Sequence, residues 1–164
     1  MRGVEARVRR AGSGALAVAF AIDGDLARVR VPGPRPPRFA DGLWEHTCCE
    51  AFVARRGHAP YHEFNLSPSG EWAAYAFRAY RERAELDAAA LSPAISVLRS
   101  ARSLELTATL RLGLLSRAYL ESPLALGLSA VIEDADGALS YWALEHPPGR
   151  PDFHHTAAFA LVIE

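Results

Sequence analysis

The stretch Tyr61-His62-Glu63-Phe64-Asn65-Leu66-Ser67-Pro68-Ser69-Gly70-Glu71-Trp72 decides the fold. Successive side chains of an extended chain point to opposite faces. Tyr61, Glu63, Asn65 and Ser67 therefore share one face, and His62, Phe64 and Leu66 the other. Pro68-Ser69-Gly70 has the chemistry of a tight turn, and Glu71 to Tyr80 follows as a second extended run. There Trp72, Ala74, Ala76 and Arg78 fall on one side, Tyr75 and Phe77 on the other. The segment predicts a β-hairpin with one apolar and one polar-aromatic face.

The same alternation spreads outward. Val4, Ala6 and Val8 oppose Glu5, Arg7 and Arg9, and Leu16, Val18, Phe20 and Ile22 alternate with alanines. Asp23-Gly24 followed by the run 27–31 predicts a further hairpin. Pro32 to Pro37 is loop, because proline cannot donate into a strand ladder. Cys48 to Arg55 reads as a strand with Cys48, Glu50 and Phe52 on one face. Ile95 to Arg99 with Leu104 to Leu112, Leu124 to Glu133 with Leu139 to Leu144 around Asp136-Gly137, and Phe159 to Glu164 complete the set. Residues 82–91, rich in Ala, Glu and Leu and ended by Ser92-Pro93, predict one short helix. Residues 113–123 read as irregular chain or a helical turn. With no βαβ period and no internal repeat, the expectation is an all-β antiparallel sandwich or barrel, with residues 1–164 as one domain.

Composition narrows the function classes. Of 164 residues, 50% are hydrophobic and 23% charged, so the chain can bury a core. The net charge is -1, leaving no global basic field for nucleic acid or an anionic membrane, and no apolar run is long enough to span a bilayer. All 18 basic residues are arginine, which excludes a Schiff-base or phosphate-loop lysine. Met1 to Arg10 is charged and alternating, unlike a signal peptide. Cys48 and Cys49 are adjacent and face opposite ways on a strand, which disfavours a disulfide between them. The expectation is a reduced, cytoplasmic protein.

The polar side chains on these strands point to a site. Glu50, Glu63 and Asn65 make a hydrogen-bonding platform, flanked by Trp44 and Trp72. A pyranose offers apolar C–H faces to an indole and hydroxyls to carboxylates and amides. Tryptophans in the core and carboxylates paired to arginines across strands are an equally open reading. His146, His154 and His155 cluster with Asp152, but their spacing matches no closed zinc motif. Glu50 with Glu63 is the obvious acid/base pair for glycoside chemistry, although sequence does not fix their separation.

Leu43-Trp44-Glu45-His46-Thr47-Cys48-Cys49-Glu50-Ala51-Phe52, the 61–72 stretch, Tyr141-Trp142-Ala143-Leu144-Glu145-His146-Pro147 and Pro151-Asp152-Phe153-His154-His155 resemble the bacterial DOMON-like domain proteins, relatives of family 9 carbohydrate-binding modules. The resemblance spans roughly residues 4–164. It implies a jelly-roll-like β-sandwich that binds a small ligand, sugar or haem in better-known relatives, without itself being an enzyme. On that pattern Trp44, Trp72 and Trp142 are the aromatic positions and Glu50, Glu63 and Asn65 the polar ones, with His46, Tyr61, His146 and His154 around them. Met1 is the single methionine, so Met/His haem ligation is excluded. The expectation is a saccharide- or polyol-binding module with no cofactor, no metal and no nucleic-acid partner. The other readings are a metal-dependent hydrolase built on the His-rich loop, a haem or redox module, and a protein-interaction module.

Overall fold

The computed structural model describes residues 1–164 apart from the side chain of Ser13. In chain order its strands are β1 (Gly3–Ala11), β2 (Ala15–Asp23), β3 (Cys48–Arg55), β4 (Tyr61–Leu66), β5 (Trp72–Ala79) and β6 (Glu82–Ala84). They are followed by β7 (Ala94–Arg99), β8 (Ser103–Leu110), a single α-helical turn α1 (Ala118–Glu121), β9 (Leu124–Glu133), β10 (Leu139–Ala143) and β11 (Leu161–Ile163). Every strand pairing is antiparallel. One sheet runs β1-β2-β8-β7, the other β10-β9-β3-β4-β5-β6, with β11 pairing the first residues of β9.

The two sheets pack face to face as the sequence predicted. Leu16, Val18, Phe20 and Ile22 of β2 and Leu104, Leu106 and Leu110 of β8 form one wall of the core. Cys49, Ala51 and Val53 of β3, Phe64 and Leu66 of β4, and Leu126 and Leu128 of β9 form the other. Each fully buried Leu, Val or Phe here contributes roughly 1.5–3 kcal/mol relative to exposure.

The larger sheet is covered on its second face too. Phe52, Tyr61, Tyr75, Phe77 and Val131 point outward into an aromatic cluster that is closed by Leu43, Trp44, Phe153 and Phe159. The covering chain lies close: a Cβ on Gly127 of β9 would sit 3.1 Å from the Ala158 carbonyl oxygen. Double coverage explains why β3 and β9 are buried almost end to end. It also explains why Glu50, Glu63, Asn65 and Ser129, all on that second face, are buried. Cys48 and Cys49 are buried and unpaired, facing opposite sides of β3.

Two expectations fail locally. Residues 82–91 are not helical: Glu82–Ala84 is a strand and Ala88–Leu91 a 3-10 turn, while the α-helical turn lies at Ala118–Glu121. The run 27–31 forms no hairpin with β2, because β1 and β8 occupy both edges of that strand. Asp25 caps a 3-10 turn at Leu26–Arg28, and Val29 makes only an isolated bridge to Asp134. No helix is long and apolar enough to cross a membrane.

Candidate functional site

Strand register assembles the site. Glu50 lies between Ser129 of β9 and Asn65 of β4, and Glu63 between Phe52 of β3 and Tyr75 of β5. Tyr61 sits opposite Phe77, and Phe77 opposite Arg83 of β6. Tyr75 donates its hydroxyl hydrogen to Asp41, tethering the segment that leads into the turn Leu43–Glu45. That turn follows Gly42 in the left-handed region, φ 74°, and sets the Trp44 ring edge-on to Tyr75 at 5.8 Å. Between this turn, residues 139–141 and residues 151–154 lies a cavity of about 520 Å³. Glu50 (3% exposed) and Glu63 (5%) line it deep down, and Tyr141 (43%) lines it at the surface.

A hydrogen-bonded chain fixes one side of the cavity. The backbone N–H of Arg81 donates to the Tyr61 hydroxyl oxygen at 3.1 Å. The Tyr61 hydroxyl is therefore free to donate to His154 Nδ1, 2.8 Å away. That assignment puts the ring hydrogen on Nε2, which faces Glu63 Oε2 at 3.5 Å. Asn65 donates to the other oxygen of Glu63 at 2.9 Å. Arg81 holds a left-handed backbone, φ 55°, stabilised by this contact and by its 2.8 Å ion pair with Asp152.

Glu50 has none of this support. Among the described residues no side chain or backbone group hydrogen-bonds or ion-pairs with its carboxyl. Burial, and next the charge of Glu63, push its pKa well above the ordinary carboxylate range. Burial raises Glu63 too, opposed by its bond from Asn65. Beside Glu50, Ser129 Oγ and Asn65 Oδ1 are buried without partners. Burial also lowers His154 to about 4, so its ring is neutral at neutral pH.

A carboxyl whose folded pKa is raised costs stability above its unfolded pKa, and the cost disappears as pH falls toward that value. Glu50→Gln is therefore expected to melt higher than wild type at pH 8, with the gap narrowing toward pH 5. Thermal melts across that range check it. An equal or lower melting temperature at pH 8 would mean that the Glu50 carboxyl has a stabilising partner in solution.

Of the residues singled out from sequence, Trp44, Glu50, Glu63 and His154 line the cavity. Tyr61 and Asn65 stand directly behind it, hydrogen-bonded to His154 and Glu63. The structure moves the others elsewhere. Trp72 pairs with Leu66 across the hairpin and so shares its face, in the core between the sheets. Trp142 also packs against that core. His46 reaches away to Glu133 at 2.7 Å, and exposed His146 lies 6.2 Å from the Phe153 ring, outside the cavity lining. His155 accepts from the Ala157 N–H, so His154 alone of the loop histidines reaches Glu63. Among the described residues no group of three His, Cys, Asp or Glu side chains is placed to hold a metal ion.

Sequence reading missed Phe77, Arg81, Arg83, Tyr141 and Phe153 as lining residues. The signal for Phe77 was present, since it shares Tyr75's face. Arg83 was hidden by the helical composition of 82–91.

The fold and site together define an antiparallel β-sandwich with an aromatic-rimmed, carboxyl-floored pocket on the outer face of its larger sheet. No family model and no curated protein matches the chain. Among solved structures it is similar to a protein from Bacteroides uniformis ATCC 8492 described as a "putative carbohydrate-binding protein". The TM-score is 0.63 at 16% identity, over 94% of this chain and 74% of that one. At that identity the shared property is the fold.

Proposed function

We propose that the protein is a non-catalytic module of the DOMON-like and family 9 carbohydrate-binding kind, with residues 1–164 forming one domain that binds a saccharide or polyol in this pocket. The observation that carries the reading is the pairing of an aromatic rim, half-buried Trp44 and exposed Tyr141, with buried Glu50 and Glu63 below it. An aromatic face and a carboxyl floor match the two chemistries of a sugar ring, apolar C–H faces and hydroxyl edges. Likeness to a fold whose Bacteroides example carries a carbohydrate-binding description supports it. The free thiols on opposite faces of β3 support a cytoplasmic setting.

The test is calorimetry and ligand-observed NMR against a panel of neutral and amino mono- and oligosaccharides. At least one is expected to bind, and Trp44→Ala to weaken it about tenfold, the equivalent of about 1.4 kcal/mol, while the fold still melts cooperatively. Binding by no member of the panel, or equal binding by Trp44→Ala, would sink the reading.

A further inference from the structure

We infer that the pocket selects saccharides carrying a free, positively charged amine, with the ammonium seated against Glu50 and Glu63. The inference rests on the saccharide reading above and narrows it. Its basis is an imbalance of hydrogen-bonding groups on the row Ser129–Glu50–Asn65. Among the described residues no group donates to the Glu50 carboxyl, and the buried Asn65 Oδ1 and Ser129 Oγ on either side of it have no hydrogen-bond partner. The Asn65 amide donates one of its two hydrogens to Glu63 and none to Glu50. What the row lacks is partners for these buried groups and a positive charge beside Glu50.

The protein's own cations do not reach Glu50. Arg81 is committed to Asp152 at 2.8 Å, and Arg83 lies over the Tyr75 ring at 4.2 Å. Arg83, Arg81 and the neutral His154 ring act on Glu63, but Glu50, the deeper carboxyl, has no basic partner from the chain. A neutral hydroxyl could satisfy hydrogen bonds there but would leave the repulsion between the two carboxyls in place. An ammonium brings three donors and cancels that repulsion in one step. The aromatic faces of Trp44 and Phe77, which also line the cavity, favour a cation beside them.

The probes are a β-1,4-linked glucosamine trimer, its fully N-acetylated form, and cellotriose. They share a backbone and differ only at the 2-position. Calorimetry is run at neutral pH, where a free amine is still partly charged and can displace the proton from the raised carboxyls. The free-amine trimer is expected to bind at least tenfold more tightly than either of the others. Glu50→Gln is expected to erase the difference, and Glu63→Gln to reduce it, which keeps the test intact should one variant fail to fold. Equal binding of the three trimers, tighter binding of either neutral one, binding of none, or a preference unchanged in the variants would overturn the inference. A neutral sugar that binds while the amine shows no advantage would leave the broader saccharide reading standing.

Discussion

Trp72→Ala is expected to lower stability by about 3–5 kcal/mol, the range for removing a buried aromatic side chain and leaving a cavity. At about 2–4 °C per kcal/mol for a chain of this size, the melting temperature should fall by roughly 10 °C. Trp72 is 3% exposed within the core between the sheets, and its ring meets Phe39 edge-on at 5.6 Å. Its backbone also carries the chain that precedes the site: the Trp72 N–H donates to the Arg38 carbonyl at 3.1 Å and its carbonyl accepts from Ala40 at 2.9 Å. The indole Nε1–H, in contrast, is buried without a partner, so it costs desolvation free energy rather than adding stability. Trp72→Phe keeps most of the packing and removes that orphan donor, and should melt within a few degrees of wild type. Trp44→Ala should show the reverse pattern, losing ligand with little loss of stability. If Trp72→Ala melted like wild type and lost ligand instead, the ring would belong to the pocket and the hairpin register described above would be wrong.

That register explains how the platform was legible in the sequence while half of its proposed walls were not. Alternation alone places Glu50, Glu63 and Asn65, because it is a property of each strand taken singly. The wall beside Glu63 depends on pairing. Closing the hairpin through residues 67–71 sets Leu66 opposite Trp72 and Glu63 opposite Tyr75, which sends the indole to the core and Tyr75 and Phe77 to the outer face. Arg83 was lost for a different reason. Ala, Glu and Leu favour a helix in isolation, but the turn at Tyr80-Arg81 offers β6 the edge of β5, and sheet pairing overrides local propensity. The run 27–31 failed because the edge of β2 is taken by β8, which lies some eighty residues along the chain, a pairing no local pattern announces. The aromatic lid formed by Phe153 and Phe159 comes from loop and turn, where neither period exists to be read.

Acid is expected to destabilise the protein through two histidines before its ion pairs begin to fail. Burial lowers both His62 and His154 to about 4. His62 lies 2.6 Å from the Tyr119 hydroxyl, which itself donates to the Val53 carbonyl at 3.1 Å. His154 accepts from Tyr61, and Arg81 further opposes its charging. Both rings are thus held neutral in the folded state, whereas an unfolded histidine takes up its proton near pH 6.5. Since the unfolded chain binds protons first, stability is complete above that pH and falls as pH drops from 6.5 toward 4. Each histidine is expected to remove about 2–3 kcal/mol by pH 4.5. Glu50 and Glu63 act in the opposite sense, because their raised pKa values relieve a cost as they protonate, so the wild-type curve alone shows only the difference. Glu71, held low by Arg38, and Glu133, held low by His46, lose their contribution only as pH falls below the ordinary carboxylate range. The measurement is therefore urea denaturation of wild type and of His62→Gln/His154→Gln at steps from pH 7.5 to 4.5. The double variant should begin less stable, since it gives up packing, and then gain on wild type by about 4–5 kcal/mol across the window. Parallel curves would show that both histidines reach solvent and titrate as they do in the unfolded chain.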